Sequence, residues 1–158
     1  TEEVSSELYV KVLPAHLMVV RLQLAMLALS MHALVTRLLF SGLRGRRSFW
    51  SYTHVDDEVS LILDEESLDD FPEEALVGGS STRWRALKLA GRSFAFNETG
   101  VVSAMFAPYE DGVPLLNIST FSTNVTLVEE SDLQRALSAF ELPHKVVAHE
   151  DDEEGMAR

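Results

Sequence analysis

Glu58-Val59-Ser60-Leu61-Ile62 and, 66 residues further on, Asn124-Val125-Thr126-Leu127-Val128 are the two segments on which the fold turns. Each runs into acidic residues and then a serine and a leucine, Ser67-Leu68 in the first and Ser131 with Leu133 in the second. Short runs of β-branched and aliphatic residues with polar borders read as strands. Repetition at a fixed period reads as one structural unit made twice.

Working outward from the first copy, Asp56-Asp57 is a tight turn, and Phe49 to Val55 is the strand before it. Further upstream, Leu27, Met31, Leu34, Val35, Leu38 and Leu39 recur at helical spacing and predict the buried face of a helix, with Gln23, Ser30 and Arg37 on the opposite, polar face. Gly42 is placed to end that helix. Leu8 to Leu13 and Leu17 to Leu22 read as strands with Pro14 between them, and a short helical turn is expected at Ser67 to Phe71. The second copy follows the same order. Trp84 to Leu89 is a strand, Glu98 to Phe106 a helix stopped by Pro108, Leu115 to Ser122 and Asn124 to Val128 strands, and a last helix starts at Ser131 with the capping-box spacing Ser131/Gln134. The expected class is α+β, a β–α–β–β unit made twice, with helices against one face of each antiparallel sheet.

Val77-Gly78-Gly79-Ser80-Ser81-Thr82 divides the copies, since paired glycines with small hydroxyl residues contribute little packing. The expected division is a first module over 1–76, a linker over 77–83, a second module over 84–149 and an acidic disordered tail over 150–158. Each module alone is marginal in size, so the two are expected to fold together. The chain begins with Thr1, which reads as a trimmed or partial sequence.

With 158 residues, a net charge of −12 and no cysteine, the composition narrows the chemistry. The acidic balance repels polyphosphate, so no nucleic-acid partner is expected. Lack of cysteine removes disulfides, thiolate metal sites and cysteine nucleophiles, and suits the cytoplasm. Arg21 and Arg37 bracket an uncharged stretch of fifteen residues, short of the roughly 20 that span a bilayer, so no membrane insertion is expected. The motifs of nucleotide, zinc and serine-hydrolase sites are missing, and His16, His32, His54, His144 and His149 lack ligand spacing. No catalytic residue, metal or cofactor is therefore expected. Arg44, Arg46 and Arg47, followed by Phe49 and Trp50, are read as a surface loop entering a strand. Asn97-Glu98-Thr99, Asn117-Ile118-Ser119 and Asn124-Val125-Thr126 match the glycosylation acceptor pattern, taken here as coincidence.

Ala90 to Val102 connects a strand to a helix start, where unpaired N–H groups favour a bound carboxylate. Glu98 in the same turn suits a cationic group, which makes an amino acid zwitterion a fitting ligand, while Asn97 as an N-cap with Glu98 on the helix dipole is the purely structural reading.

Trp84-Arg85-Ala86-Leu87-Lys88-Leu89-Ala90-Gly91, Phe96-Asn97-Glu98-Thr99-Gly100-Val101-Val102, Ser119-Thr120-Phe121 and Leu127-Val128 resemble the ACT domain of the CASTOR type, the cytosolic arginine sensors of the target-of-rapamycin growth pathway. Leu34 to Phe40 and Leu63-Asp64-Glu65-Glu66 are similar to that family's N-terminal module, so the resemblance covers residues 8 to 140. It implies two ferredoxin-like βαββαβ modules and a non-enzymatic regulator that binds an amino acid, arginine in the sensors, where ACT modules meet, and signals through a protein partner. It also implies ligand-binding roles for Phe96, Asn97, Glu98, Thr99, Gly100 and Val101 in the loop and for Thr120, Phe121 and Asn124 beside it. Asn124 stands where the arginine sensors carry an acidic residue, and Ala95 where they tend to have glycine. Those sensors contain four modules against the two read here, which implies a homodimer. Two other readings are a ligand-free adaptor module and the regulatory domain of an amino-acid metabolic enzyme.

Overall fold

A computed structural model describes residues 9–40, 49–78, 81–91, 105–121, 123–140 and 144–147. Its strands are β1 (Tyr9–Val12), β2 (Leu17–Leu22), β3 (Ser51–Val55), β4 (Glu58–Asp64), β5 (Leu76–Val77), β6 (Trp84–Ala90), β7 (Leu115–Ser119), β8 (Asn124–Glu129) and β9 (His144–Val147). The α-helices are α1 (Leu27–Phe40), α2 (Ala107–Glu110) and α3 (Leu133–Ala139). Short 3-10 turns precede α1 and α3, and a longer one, Glu65–Asp70, stands where the helical turn was expected. The chain forms two compact units, Ala15–Trp84 and Thr1–Pro14 with Arg85–Arg158.

The unit Ala15–Trp84 has strand order β3-β4-β2, with β5 on the far side of β2. β2 and β4 pair antiparallel from Leu17↔Asp64 to Leu22↔Val59. This register puts Met18, Val20 and Leu22 on one face with Val59, Leu61 and Leu63, where they cluster with Ala33 and Leu34 of α1. β3 and β4 meet at Val55↔Glu58 through the expected two-residue turn, with Asp56 at φ +50°. Aspartate tolerates that left-handed conformation better than most residues.

α1 is present as expected but is rotated about its axis. Its buried residues are Ser30, Ala33, Leu34 and Arg37, whereas Leu38 and Leu39, expected in the core, are 63% and 67% exposed. The reversal goes with a contact distant in sequence. The Arg37 guanidinium donates to Oδ2 of Asp64, and both side chains are buried. Oδ1 of the same carboxylate accepts from the Ser67 N–H (3.0 Å) and the Ser67 hydroxyl (2.7 Å). One carboxylate thus pairs a buried cation and caps the following 3-10 turn, which ties the helix to the end of β4. Ser30 and Ala33 are small enough to let α1 lie close on the sheet.

The second unit has strand order β7-β8-β6-β1-β9. β1 runs antiparallel to β6, with Val10↔Leu89 and Val12↔Leu87, and parallel to β9. This differs from the expected division at 77–83, since the N-terminal strand lies in the sheet of the C-terminal unit. Val10 and Val12 are buried completely, in a cluster with Leu87, Leu89, Met105, Val128, Ala136 and Leu137. Arg85 Nη2 donates to the Leu13 carbonyl at 3.1 Å, which anchors the end of β1. The expected capping box does not form. Asp132, not Ser131, precedes α3, and no side chain caps it. α2 runs through Pro108, which sits in its first turn, where a missing N–H does no harm.

Set apart from that added strand, the two units repeat one order, strand, helix, hairpin, helical turn and edge strand. The letters align at 66, but the faces do not. Val59 and Leu61 face α1, while in the second unit Thr126 and Val128, one residue further on than the letter match, face Met105 and the α3 side. In a period-2 strand, a slip of one residue exchanges the faces, so here the pattern of letters and the set of residues turned toward the helices separate, although β8 is buried on both faces.

Candidate functional site

In the second unit the β7–β8 hairpin carries the polar residues of interest. Its register, Leu115↔Val128, Asn117↔Thr126 and Ser119↔Asn124, places three cross-strand pairs on one face. That face changes character along its length. Val128 lies in the core and Leu115 packs against it, whereas toward the loop the face becomes Asn117, Thr126, Ser119 and Asn124.

These four side chains form a closed network. Asn117 Nδ2 donates to Asn124 Oδ1 at 2.7 Å, and Asn124 Nδ2 returns a bond to Asn117 Oδ1 at 2.8 Å. Asn117 Nδ2 also reaches Thr126 Oγ1 (3.0 Å), and Asn124 Nδ2 reaches Ser119 Oγ (3.1 Å). Thr126 donates to the Met105 carbonyl at 3.3 Å, at the point where the chain returns from the 92–104 segment. Asn124 and Thr126 are buried. Burying so many polar atoms is tolerable because each amide is partnered.

The loop joining the strands is equally closed. The Thr120 N–H bonds the Thr123 carbonyl at 2.8 Å. The Thr120 hydroxyl donates to that carbonyl (3.0 Å) and accepts from the Thr123 N–H (3.2 Å). Thr123 Oγ1 reaches back to the Leu89 carbonyl of β6. Phe121 projects at the tip, 84% exposed.

Of the expected ligand residues, the structure brings Thr120, Phe121 and Asn124 to one end of this hairpin. Phe96, Asn97, Glu98, Thr99, Gly100 and Val101 lie outside the described residues. Asn117, Ser119 and Thr126 had no assigned role, yet their signal was in the sequence. Two of the three glycosylation-like triplets, Asn117-Ile118-Ser119 and Asn124-Val125-Thr126, are polar pairs at strand spacing, and Asn124 and Thr126 of the second are buried. Asn124 is buried and doubly bonded through its amide nitrogen, so the folded chain does not present it as an acceptor. Among the described residues no group of His, Asp and Glu is arranged to hold a metal. Nor is any described helix long and apolar enough to cross a membrane.

The sequence profile of the ACT domain matches residues 79–141, which include β6 to α3 and the whole polar network. Over those residues the chain is similar to the ACT domain, and it is similar to the cytosolic arginine sensors. It is 31% identical over 107 residues to the human "Cytosolic arginine sensor for mTORC1 subunit 1", a match over 65% of this chain and 32% of that protein. The rat protein of the same name is 29% identical over 105 residues, with the same coverage. The match therefore spans about a third of the length of these curated relatives. Among solved structures, a structural-genomics protein from Agrobacterium tumefaciens superposes with TM-score 0.59 at 23% identity, over 90% of this chain and 95% of its own. The ligand-free regulatory subunit of aspartate kinase from Thermus thermophilus superposes with TM-score 0.50 at 11% identity, over 81% and 93%. These likenesses show an α+β fold, helices against mainly antiparallel sheets.

Proposed function

We propose that this ACT protein is a non-enzymatic regulator in the cytoplasm, which binds a free amino acid at a junction of ACT modules and reports it through a change in a protein contact. The names of the sensor relatives support a role in growth signalling, and the four modules implied by the resemblance support a homodimer. The observation that carries the reading is the polar end of the β7–β8 face, Asn117, Ser119, Asn124 and Thr126, with Thr126 bonded to the Met105 carbonyl. The loop's N–H groups and Glu98 would take the ligand's carboxylate and ammonium groups.

Asn124 also bears on the ligand class. It is neutral, and its amide is held by Asn117 and Ser119. A neutral residue offers no charge to a guanidinium, which favours an amino acid with an uncharged side chain over arginine. The same internal satisfaction supports a second reading, a ligand-free adaptor, because the network needs no ligand to complete it. A thermal-shift panel of the twenty amino acids separates the two. Stabilisation by one neutral amino acid, abolished in Glu98→Ala, is expected from the sensor. A flat response to every member at millimolar concentration rejects it in favour of the adaptor.

A further inference from the structure

Strand β3 stands at the edge of its sheet, and among the described residues it pairs with β4 alone. Val55 and Glu58 close the two-residue turn by exchanging both backbone bonds. Alternation along an antiparallel ladder gives Thr53 and Ser51 the same inward bonds, and it turns the N–H and C=O groups of Tyr52 and His54 away from β4. The strand lacks the usual guards of an edge. Its pairs with β4 follow one another without a bulge, and Ser51 to Val55 includes neither lysine nor proline. By contrast β9, an edge of the other unit, carries Lys145, and β7 begins directly after Pro114. Tyr52 and Val55 are 40% and 60% exposed, on opposite faces of β3. Asp56, Asp57 and Glu58, which follow them, are exposed as well.

We propose that this edge takes up an extended, basic segment of a partner protein as an added strand, antiparallel to β3. In this mode of recognition, main-chain bonds to Tyr52 and His54 supply affinity, and side chains on alternate faces supply selectivity. β-branched residues of the segment would lie beside Tyr52 on one face and Val55 on the other. Charge selects the partner. Antiparallel pairing brings the N-terminal end of the segment to the β3–β4 turn, where exposed Asp56, Asp57 and Glu58 favour lysine or arginine. The net charge of −12 draws such a segment in from a distance. A second copy of the chain fits less well, since two chains of this charge repel each other. Its β3 would also pair with this one by setting Tyr52 against His54, and counting outward from there puts Trp50 and Phe49, not a base, at Asp56 and Asp57. The inference is independent of the amino-acid ligand and of the homodimer proposed above.

The probe is the labelled peptide Lys-Lys-Lys-Val-Thr-Val-Thr, added to the full chain and followed by fluorescence anisotropy. Saturable binding is expected, with the reversed peptide and a version carrying glutamate for lysine each about tenfold weaker. His54→Pro removes an outward N–H that β4 does not use, so it should weaken binding by about tenfold with an unchanged melting temperature. His54→Ser keeps that N–H and should bind as the wild type does. In hydrogen exchange, the peptide should protect the Tyr52 and His54 amides and leave those of Thr53 and Val55 as they were. This readout uses the wild-type chain and stands even where His54→Pro fails to fold. Equal binding by His54→Pro and His54→Ser overturns the added strand, as does a lack of new protection at Tyr52 and His54. Equal binding of the glutamate peptide overturns the basic partner, and equal binding of the reversed peptide overturns the antiparallel direction. A wild-type chain that ignores the peptide at high micromolar concentration overturns the whole proposal. So does a dimer that His54→Pro dissociates, which would assign the edge to a second copy.

Discussion

Asp64 holds three donors with one carboxylate, from Arg37 and from the backbone and hydroxyl of Ser67. A buried ion pair contributes little compared with a well-packed apolar replacement, but losing one partner strands the other's charge. Asp64→Ala is therefore expected to lower unfolding free energy by about 3–5 kcal/mol. The double variant Arg37→Met/Asp64→Leu should lose much less, and denaturant titration of both variants tests the argument. Asn124 presents the opposite case, a buried neutral group in a closed amide network. Asn124→Asp leaves Asn117 Oδ1 without its donor and buries a carboxylate. The expected loss is on the order of 1–3 kcal/mol, read as a fall in melting temperature, with no gain of arginine binding by calorimetry.

At the scale of elements, a strand's partners and a helix's orientation are decided by contacts distant in sequence. β1 is inserted between β6 and β9, and its Val10 and Val12 are buried completely. Complete burial of an aliphatic side chain of this kind stabilises by about 1.5–3 kcal/mol. Removing residues 1–13 is thus expected to abolish protection of the β6 amides in hydrogen exchange, whereas a β1 that served only the N-terminal unit would leave them protected. The rotation of α1 belongs to the same scale. Its periodicity was legible because apolar residues recur every three or four positions. Which stripe faced inward was not, because this helix is apolar nearly all round and the selection fell to Arg37 through Asp64, 27 residues later.

At the scale of the whole molecule, the net charge of −12 is distributed unevenly. In the sequence it is concentrated in Asp56 to Glu74 and in the last nine residues, and the polar end of the β7–β8 face carries amides and hydroxyls with no charge. The total charge therefore says little about what that face binds. For the ligand, linkage sets the scale of the expected response. An amino acid at 100 times its dissociation constant should stabilise the fold by about 2.7 kcal/mol, which makes the shift readily measurable.

The sequence by itself determined the positions of β1 to β4, β6 to β8, α1 and α3 and the polar spacing of the β7–β8 strands, whereas the short strands β5 and β9 were not read from it and most of the expected helix Glu98 to Phe106 lies outside the described residues. The positions and the spacing follow from local propensity and short-period patterning, which act between neighbours in the chain. Tertiary structure alone decided that β1 joins the C-terminal sheet, that Arg37 and not Leu39 lies inside, and that the two copies of the unit differ by one residue in the strand face turned toward the helices. Each of these depends on contacts between residues far apart in sequence, where one buried ion pair or one strand register selects among arrangements that the local pattern permits equally.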